Sequence, residues 1–243
     1  MKKGLFTIRE NRALAQGVFR MVLAGDTGAF FRPGQFLNIA LDGFYLRRPI
    51  SVCDWDAETA TILYKVMGAG TLYMSTLQNG HVLDVLTGLG NGYDMEPAGE
   101  RPLLVGGGVG IPPLYGLAKH LLAQDVCPTV ILGFRTSKET LYVEEFKALG
   151  ARVIVTTQDG SIGTSGLVTD AMRGERLTHL YTCGPTGMLR AVYETDVCDG
   201  QFSFEERMGC GFGACMGCSC KTKYGYKRIC KEGPVLRREE IVW

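Results

Sequence analysis

The chain has 243 residues, with 26 Lys and Arg against 25 Asp and Glu and a formal net charge of +1. Charges of both signs are interspersed, so no polyanion-binding surface is announced and nucleic acid is a poor fit as a partner. No apolar run approaches a membrane span, and MKKGLFTIRE lacks a long apolar segment of the secretory kind, so a soluble chain in a reducing cytoplasm is expected.

From the N-terminus, six short segments rich in β-branched and aromatic residues follow one another: LFTIRE, GVFRMVLAG, QFLNIAL, ISVCDWD, ATILYKVMG and HVLDVLTG. Turn chemistry at Pro33-Gly34 and Asp42-Gly43 separates them. Strands spaced this closely predict a small antiparallel β-barrel over residues 1–98, with one helix at 71–78. Within it, Arg47-Arg48-Pro49-Ile50-Ser51 places an arginine fork, suited to a diphosphate, beside a direction-setting proline and a hydroxyl suited to a flavin ring nitrogen. A surface arginine pair at a strand start is the plainer alternative. Next, Tyr64-Lys65-Val66-Met67-Gly68-Ala69-Gly70-Thr71 is a glycine-bearing turn into a helix, which offers free N–H groups and a positive dipole end to a phosphate. Together the two segments resemble the FAD-binding barrel of the ferredoxin–NADP reductase-like oxidoreductases. The resemblance makes Arg48, Pro49, Ile50, Ser51, Tyr64, Lys65, Val66, Gly70 and Thr71 the candidate FAD residues.

The stretch 88–102, GLGNGYDMEPAGERP, is poor in apolar residues in its second half and is read as a boundary. Beyond it, strand and helix patterns alternate over 99–199, which predicts a parallel sheet covered by helices, a nucleotide-binding α/β architecture. The first turn, Gly106-Gly107-Gly108-Val109-Gly110-Ile111-Pro112-Pro113, lies between an apolar strand and an amphipathic helix, and Gly107, Gly108 and Gly110 are its candidate pyrophosphate contacts. It departs from G-x-G-x-x-G. Thr182-Cys183-Gly184-Pro185 ends a later strand. In the reductase superfamily a C-G-P turn lies beside the nicotinamide ring, so the resemblance implies that role for Cys183, Gly184 and Pro185. Arg135 and Lys138 suit a 2′-phosphate while Glu139 suits a ribose hydroxyl, which leaves NAD and NADP both open.

Residues 200–243 carry the densest chemistry. Cys210, Cys215 and Cys218 stand in a C-x4-C-x2-C run with eleven residues between Cys218 and Cys230, close to the plant-type spacing of a [2Fe–2S] ligand loop. Gly209, Gly211, Gly213 and Gly217 let backbone N–H groups approach the sulfurs. Disulfides would need an oxidising compartment, and structural zinc ordinarily pairs two short C-x2-C knuckles, whereas here one cysteine stands apart. Ordinary buried thiols would not gather five of the nine cysteines between 210 and 230. Cys220, the fifth, reads as a small buried residue rather than a ligand.

The order barrel, nucleotide sheet and cluster loop, with E-R-M-G-C-G-F-G-A-C-M-G-C at 206–218, is similar to the electron-transfer subunits of dihydroorotate dehydrogenase B. So is Tyr226-Lys227-Arg228-Ile229-Cys230-Lys231-Glu232-Gly233-Pro234-Val235. The resemblance implies FAD, a [2Fe–2S] cluster and NAD as substrate. It also implies a partner, the FMN-containing catalytic subunit that oxidises dihydroorotate to orotate in pyrimidine biosynthesis, in a heterotetramer with two copies of each. Dihydroorotate is not expected to bind this chain, and no catalytic base or nucleophile is required of it. Two other readings use the same residues: a flavin iron–sulfur reductase serving another electron partner such as ferredoxin, and a redox sensor without turnover. The sensor would want a DNA-reading helix or a basic patch, and the sequence supplies neither.

Overall fold

The computed structural model describes residues 1–195 and 198–243; the last two residues of the TGMLRAVYETDV pattern, Asp196 and Val197, lie outside the described residues. Six strands, β1 (Lys2–Ala15), β2 (Val18–Ala24), β3 (Phe36–Ile39), β4 (Arg48–Trp55), β5 (Thr59–Lys65) and β6 (Val82–Leu89), close into an antiparallel barrel in the order β1-β2-β5-β4-β3-β6. They are the six segments read from the sequence. Period-two alternation drives the closure: Phe6, Ile8, Met21, Leu23, Leu37, Ile39, Ile62 and Val85 are wholly buried inside it. The one helix of this half, α1 (Ala69–Thr76), begins two residues earlier than expected. The Thr71 hydroxyl accepts from the Met67 and Gly68 amides, which stops the chain at Gly68 and puts Gly70 and Thr71 inside the first turn.

The second half builds a seven-stranded sheet. Its elements are β7 (Pro102–Gly107), α2 (Ile111–Leu122), β8 (Thr129–Phe134), α3 (Val143–Leu149), β9 (Arg152–Thr157), β10 (Thr164–Ser165), α4 (Val168–Met172), β11 (His179–Cys183), α5 (Thr186–Glu194) and β12 (Gly200–Ser203). A hairpin, β13 (Ser219–Thr222) and β14 (Gly225–Arg228), follows, and then β15 (Val235–Arg237). The sheet order is β10-β9-β8-β7-β11-β12-β15, parallel throughout except that β15 runs antiparallel to β12. The strand order reverses between β7 and β11, which is where open α/β sheets bind ligands, outside the carboxyl ends of the strands.

Barrel and sheet share a core. Val18, Cys53 and Leu63 of the barrel pack with Leu104, Leu114, Leu117 and Tyr181. The strap between them is bound on both sides: the Tyr93 amide donates to the Pro33 carbonyl at 2.7 Å, and its hydroxyl to the Thr182 carbonyl at 3.1 Å. Asn91 ties the strap to the C-terminal segment, donating to the carbonyls of Glu232 and Val235 and accepting from the Val235 amide. The C-terminal tail packs on its own chain, with Ile241 bridged to Thr222 and Trp243 against Tyr193 and Phe204. Among the described residues no helix is long and apolar enough to cross a membrane.

Candidate functional site

The four spaced cysteines come together as two pairs. In the first, the Ala214 and Cys215 amides donate to Cys210 Sγ at 3.2 and 3.4 Å, and the Cys210 and Gly217 amides to Cys215 Sγ at 3.4 and 3.5 Å. In the second, the Cys230 amide donates to Cys218 Sγ at 3.4 Å, which sets residues twelve apart side by side. Burial resists ionisation of Cys210, but the amides of Phe212, Cys215 and Ala214 and the Cys215 thiol outweigh it and bring its pKa down to about 6. Burial and the nearby Cys218 push Cys230 up to about 12, so the Cys230 thiol keeps its proton until a metal replaces it. Two thiol pairs lined by N–H donors match what two irons and their sulfides require. Among the described residues no three such ligands converge as one mononuclear ion would need. Arg228 braces the loop from behind, donating to the Gly213 carbonyl at 2.6 Å and paired with Glu232. Cys220 sits on β13 opposite Lys227, partly buried against the core.

At the switch point, Cys183 of β11 is in register with Gly106 of β7, so the Gly107-Gly108-Val109-Gly110 turn and the Cys183-Gly184-Pro185 turn lie side by side. A Cβ on Gly110 would collide with the Cys183 carbonyl, and one on Gly107 would come within 3.3 Å of the Pro185 ring. The cradle therefore exists only because these positions carry no side chain. Burial pushes the Cys183 thiol up to about 12, against the Ser203 and Tyr93 hydroxyls that favour ionisation, so it is a neutral surface and not a nucleophile. The turn also touches β5 of the barrel. At the end of β8, Arg135 and Glu139 are paired to each other at 2.6 Å, so each is engaged by the other rather than free for a ribose substituent.

The barrel segment separates its two arginines. Arg47 is bound to Asp84 at 2.9 Å and donates to the carbonyls of Asp84 and Asn38. Among the described residues Arg48 has no carboxylate partner; it lies over the Phe44 ring and against Gly70, where a Cβ would collide with its guanidinium. Arg48 at the start of β4 is thus brought to the first turn of α1, with Pro49, Ile50 and Ser51 running on along the strand. Tyr64 turns inward: its ring stacks on Phe19 at 5.7 Å and its hydroxyl donates to Asn11 at 2.9 Å, so it presents only backbone outward. Lys65 and Val66 follow at the strand end, and the Val66 amide is held by the Gly17 carbonyl.

Sequence reasoning missed Asn38, which reaches from β3 to the cluster loop, and Asn91 in the strap. Both are isolated amides inside or beside strands, without a motif around them. Only the contact across 172 residues from Asn38 to Cys210 reveals the first.

The comparisons agree with this geometry. Residues 104–194 match the oxidoreductase NAD-binding domain, and residues 205–242 match the iron-sulfur cluster binding domain of dihydroorotate dehydrogenase B. The chain is 42% identical to the dihydroorotate dehydrogenase B (NAD(+)), electron transfer subunit, of Bacillus pumilus (strain SAFR-032), covering 99% of this chain and 98% of that one. It is 43% identical to the protein of the same name from Caldanaerobacter subterraneus subsp. tengcongensis, covering 97% of each. Among solved structures, a chain of an NADH-dependent reduced ferredoxin–NADP oxidoreductase, described for flavin-based electron bifurcation, superposes with a TM-score of 0.89 at 33% identity, over 99% of this chain and 90% of that one. The ferredoxin reductase in carbazole 1,9a-dioxygenase shares the fold at a TM-score of 0.71 and 19% identity, over 81% and 67%. With relatives this similar along almost the whole of both chains, the protein belongs to the family of dihydroorotate dehydrogenase B electron-transfer subunits.

Proposed function

We propose that this chain passes electrons from the FMN of a catalytic partner, which oxidises dihydroorotate to orotate, through a [2Fe–2S] cluster and FAD to NAD+. The observation that carries the reading is the set of two thiol pairs lined by amide donors and packed against the outside of the barrel at β3. Cys210 and Cys215 would hold one iron, Cys218 and Cys230 the other. Arg48 would fork onto the FAD diphosphate, helped by the first-turn amides of α1 at Gly70 and Thr71, with Tyr64, Lys65 and Val66 supplying backbone. Pro49 and Ile50 set the strand against the ring, and the Ser51 hydroxyl donates to a ring nitrogen. Gly107, Gly108 and Gly110 admit the NAD pyrophosphate to the start of α2, and the neutral Cys183 with Gly184 and Pro185 packs beside the nicotinamide. Flavin, when bound, exchanges electrons singly or in pairs, which suits a group standing between a hydride acceptor and a one-electron centre.

The proposed units are residues 1–98 for FAD, 99–199 for NAD and 200–243 for the cluster, with β12 and β15 stitching the last to the sheet. The proposed assembly is a heterotetramer with two FMN-containing partners, working in the cytoplasm. Purified protein should be coloured, with flavin absorption and cluster bands, and Cys215→Ser should remove the cluster bands while flavin stays. A colourless, zinc-loaded protein would refute the assignment.

The 33% identical chain of the NADH-dependent ferredoxin–NADP oxidoreductase favours one second reading, a flavin iron–sulfur reductase with ferredoxin as its partner. Co-purification separates the two: an FMN-carrying partner, and activation of dihydroorotate oxidation when it is added, supports the first.

A further inference from the structure

We propose that Asn38 is a positioning residue that joins the flavin seat to the cluster loop, its amide nitrogen holding the loop and its amide oxygen reserved for a donor on the flavin ring. This rests on the flavin seat proposed above and adds a residue outside every motif of the chain. Leu37 and Ile39 point into the barrel core, so Asn38 points outward with Phe36. Its cross-strand partner is Pro49, and that of Phe36 is Ser51, which puts Asn38 on the same outer face as the proposed seat. The side chain is only 1% exposed. Its Nδ2 donates to the Cys210 carbonyl at 3.3 Å, and its amide fills the space over Gly211, whose φ of +79° and close approach leave no room for a side chain.

The other end of the amide is unpaired: Asn38 Oδ1 is buried with no hydrogen-bond partner among the described residues. A buried acceptor without a partner keeps the full cost of losing water, so a donor belongs there. The chemistry of the two cofactors decides which side supplies it. The sulfides and thiolates of a [2Fe–2S] centre only accept hydrogen bonds, whereas the isoalloxazine ring carries N–H groups, at N3 in both oxidation states and at N5 when reduced. The donating end of Asn38 is engaged with the cluster loop, and the accepting end suits the flavin. One rigid amide thus fixes the separation of the two redox centres.

The wild-type spectrum is read first; an absence of bound flavin there refutes the seat itself, separately from Asn38. Two variants then divide the roles. Asn38→Asp keeps shape and acceptors but loses the donor to Cys210, and Asn38→Leu loses both ends. On rapid mixing with NADH, flavin and cluster reduction are timed separately, so that cluster reduction is judged against flavin reduction in the same protein. Cluster reduction, followed at its visible bands, should slow about tenfold in both, with a displaced cluster EPR signal. Flavin retention on dilution should fall in Asn38→Leu and hold in Asn38→Asp. Cluster reduction within about twofold of wild type, with an unchanged EPR signal in both variants, overturns the proposal. Loss of both cofactors with unfolding in both variants also overturns it, by showing that Asn38 acts only in folding.

Discussion

Arg47 and Arg48 are neighbours in the chain with opposite surroundings. Arg47 is held by the Asp84 carboxylate and two backbone carbonyls; Arg48 also donates one nitrogen to backbone carbonyls, those of Leu46 and Arg47, but among the described residues it has no carboxylate partner. A charge-assisted contact to a phosphate is worth about 1.5–3 kcal/mol, so Arg48→Gln should weaken FAD retention by about tenfold to a hundredfold. Arg47→Gln should instead lower the melting temperature and leave retention near wild type. Flavin fluorescence on serial dilution and thermal unfolding of both variants check the division. Equal losses of flavin from the two would show that the seat does not discriminate between them.

At the scale of elements, the turn after β7 and the turn after β11 form one cradle because the two strands are in register and Gly110 lies against the Cys183 carbonyl. Gly110→Ala forces that carbonyl or α2 to move, at a cost of about 1–3 kcal/mol. NAD should then bind at least about tenfold more weakly, read as a raised KM, while the cluster bands persist. The elements themselves were legible in the sequence wherever the signal was local. Six alternating segments became six barrel strands, the glycine turn sat between an apolar strand and a helix, and C-x4-C-x2-C encoded its own loop. What was not legible depended on distance. The early start of α1 follows from a hydroxyl cap at Thr71, the different duties of Arg47 and Arg48 from Asp84, and the importance of Asn38 from a loop 172 residues away. β15 is only three residues long, too short to carry a period.

Across the whole molecule, one polar knot ties the strap, the parallel sheet and the final strand. His179 of β11 is buried within 3.2 Å of Gln201 of β12; Gln201 pairs with the Asp94 backbone, and Arg237 of β15 lies 3.7 Å from the Asp94 carboxylate. Burial lowers the His179 pKa below its ordinary 6.5, with Asp199 and Asp94 opposing and Arg237 reinforcing the shift. The unfolded chain therefore takes up a proton near pH 6.5 that the folded chain refuses. The stability from this group is complete above that pH and declines as pH falls below it, by at most about 1.4 kcal/mol per pH unit. The urea midpoint should drop between about pH 7.5 and about pH 5.5, and His179→Gln should flatten that slope.

The pairing of β15 with β12 also sets an order of events during synthesis. The strand that finishes the sheet leaves the ribosome after β12 and after the cysteine loop, and until it docks, β12 is a bare edge open to stray pairing. The cysteine loop hangs between those two strands, so its shape is set only once β15 has docked on β12.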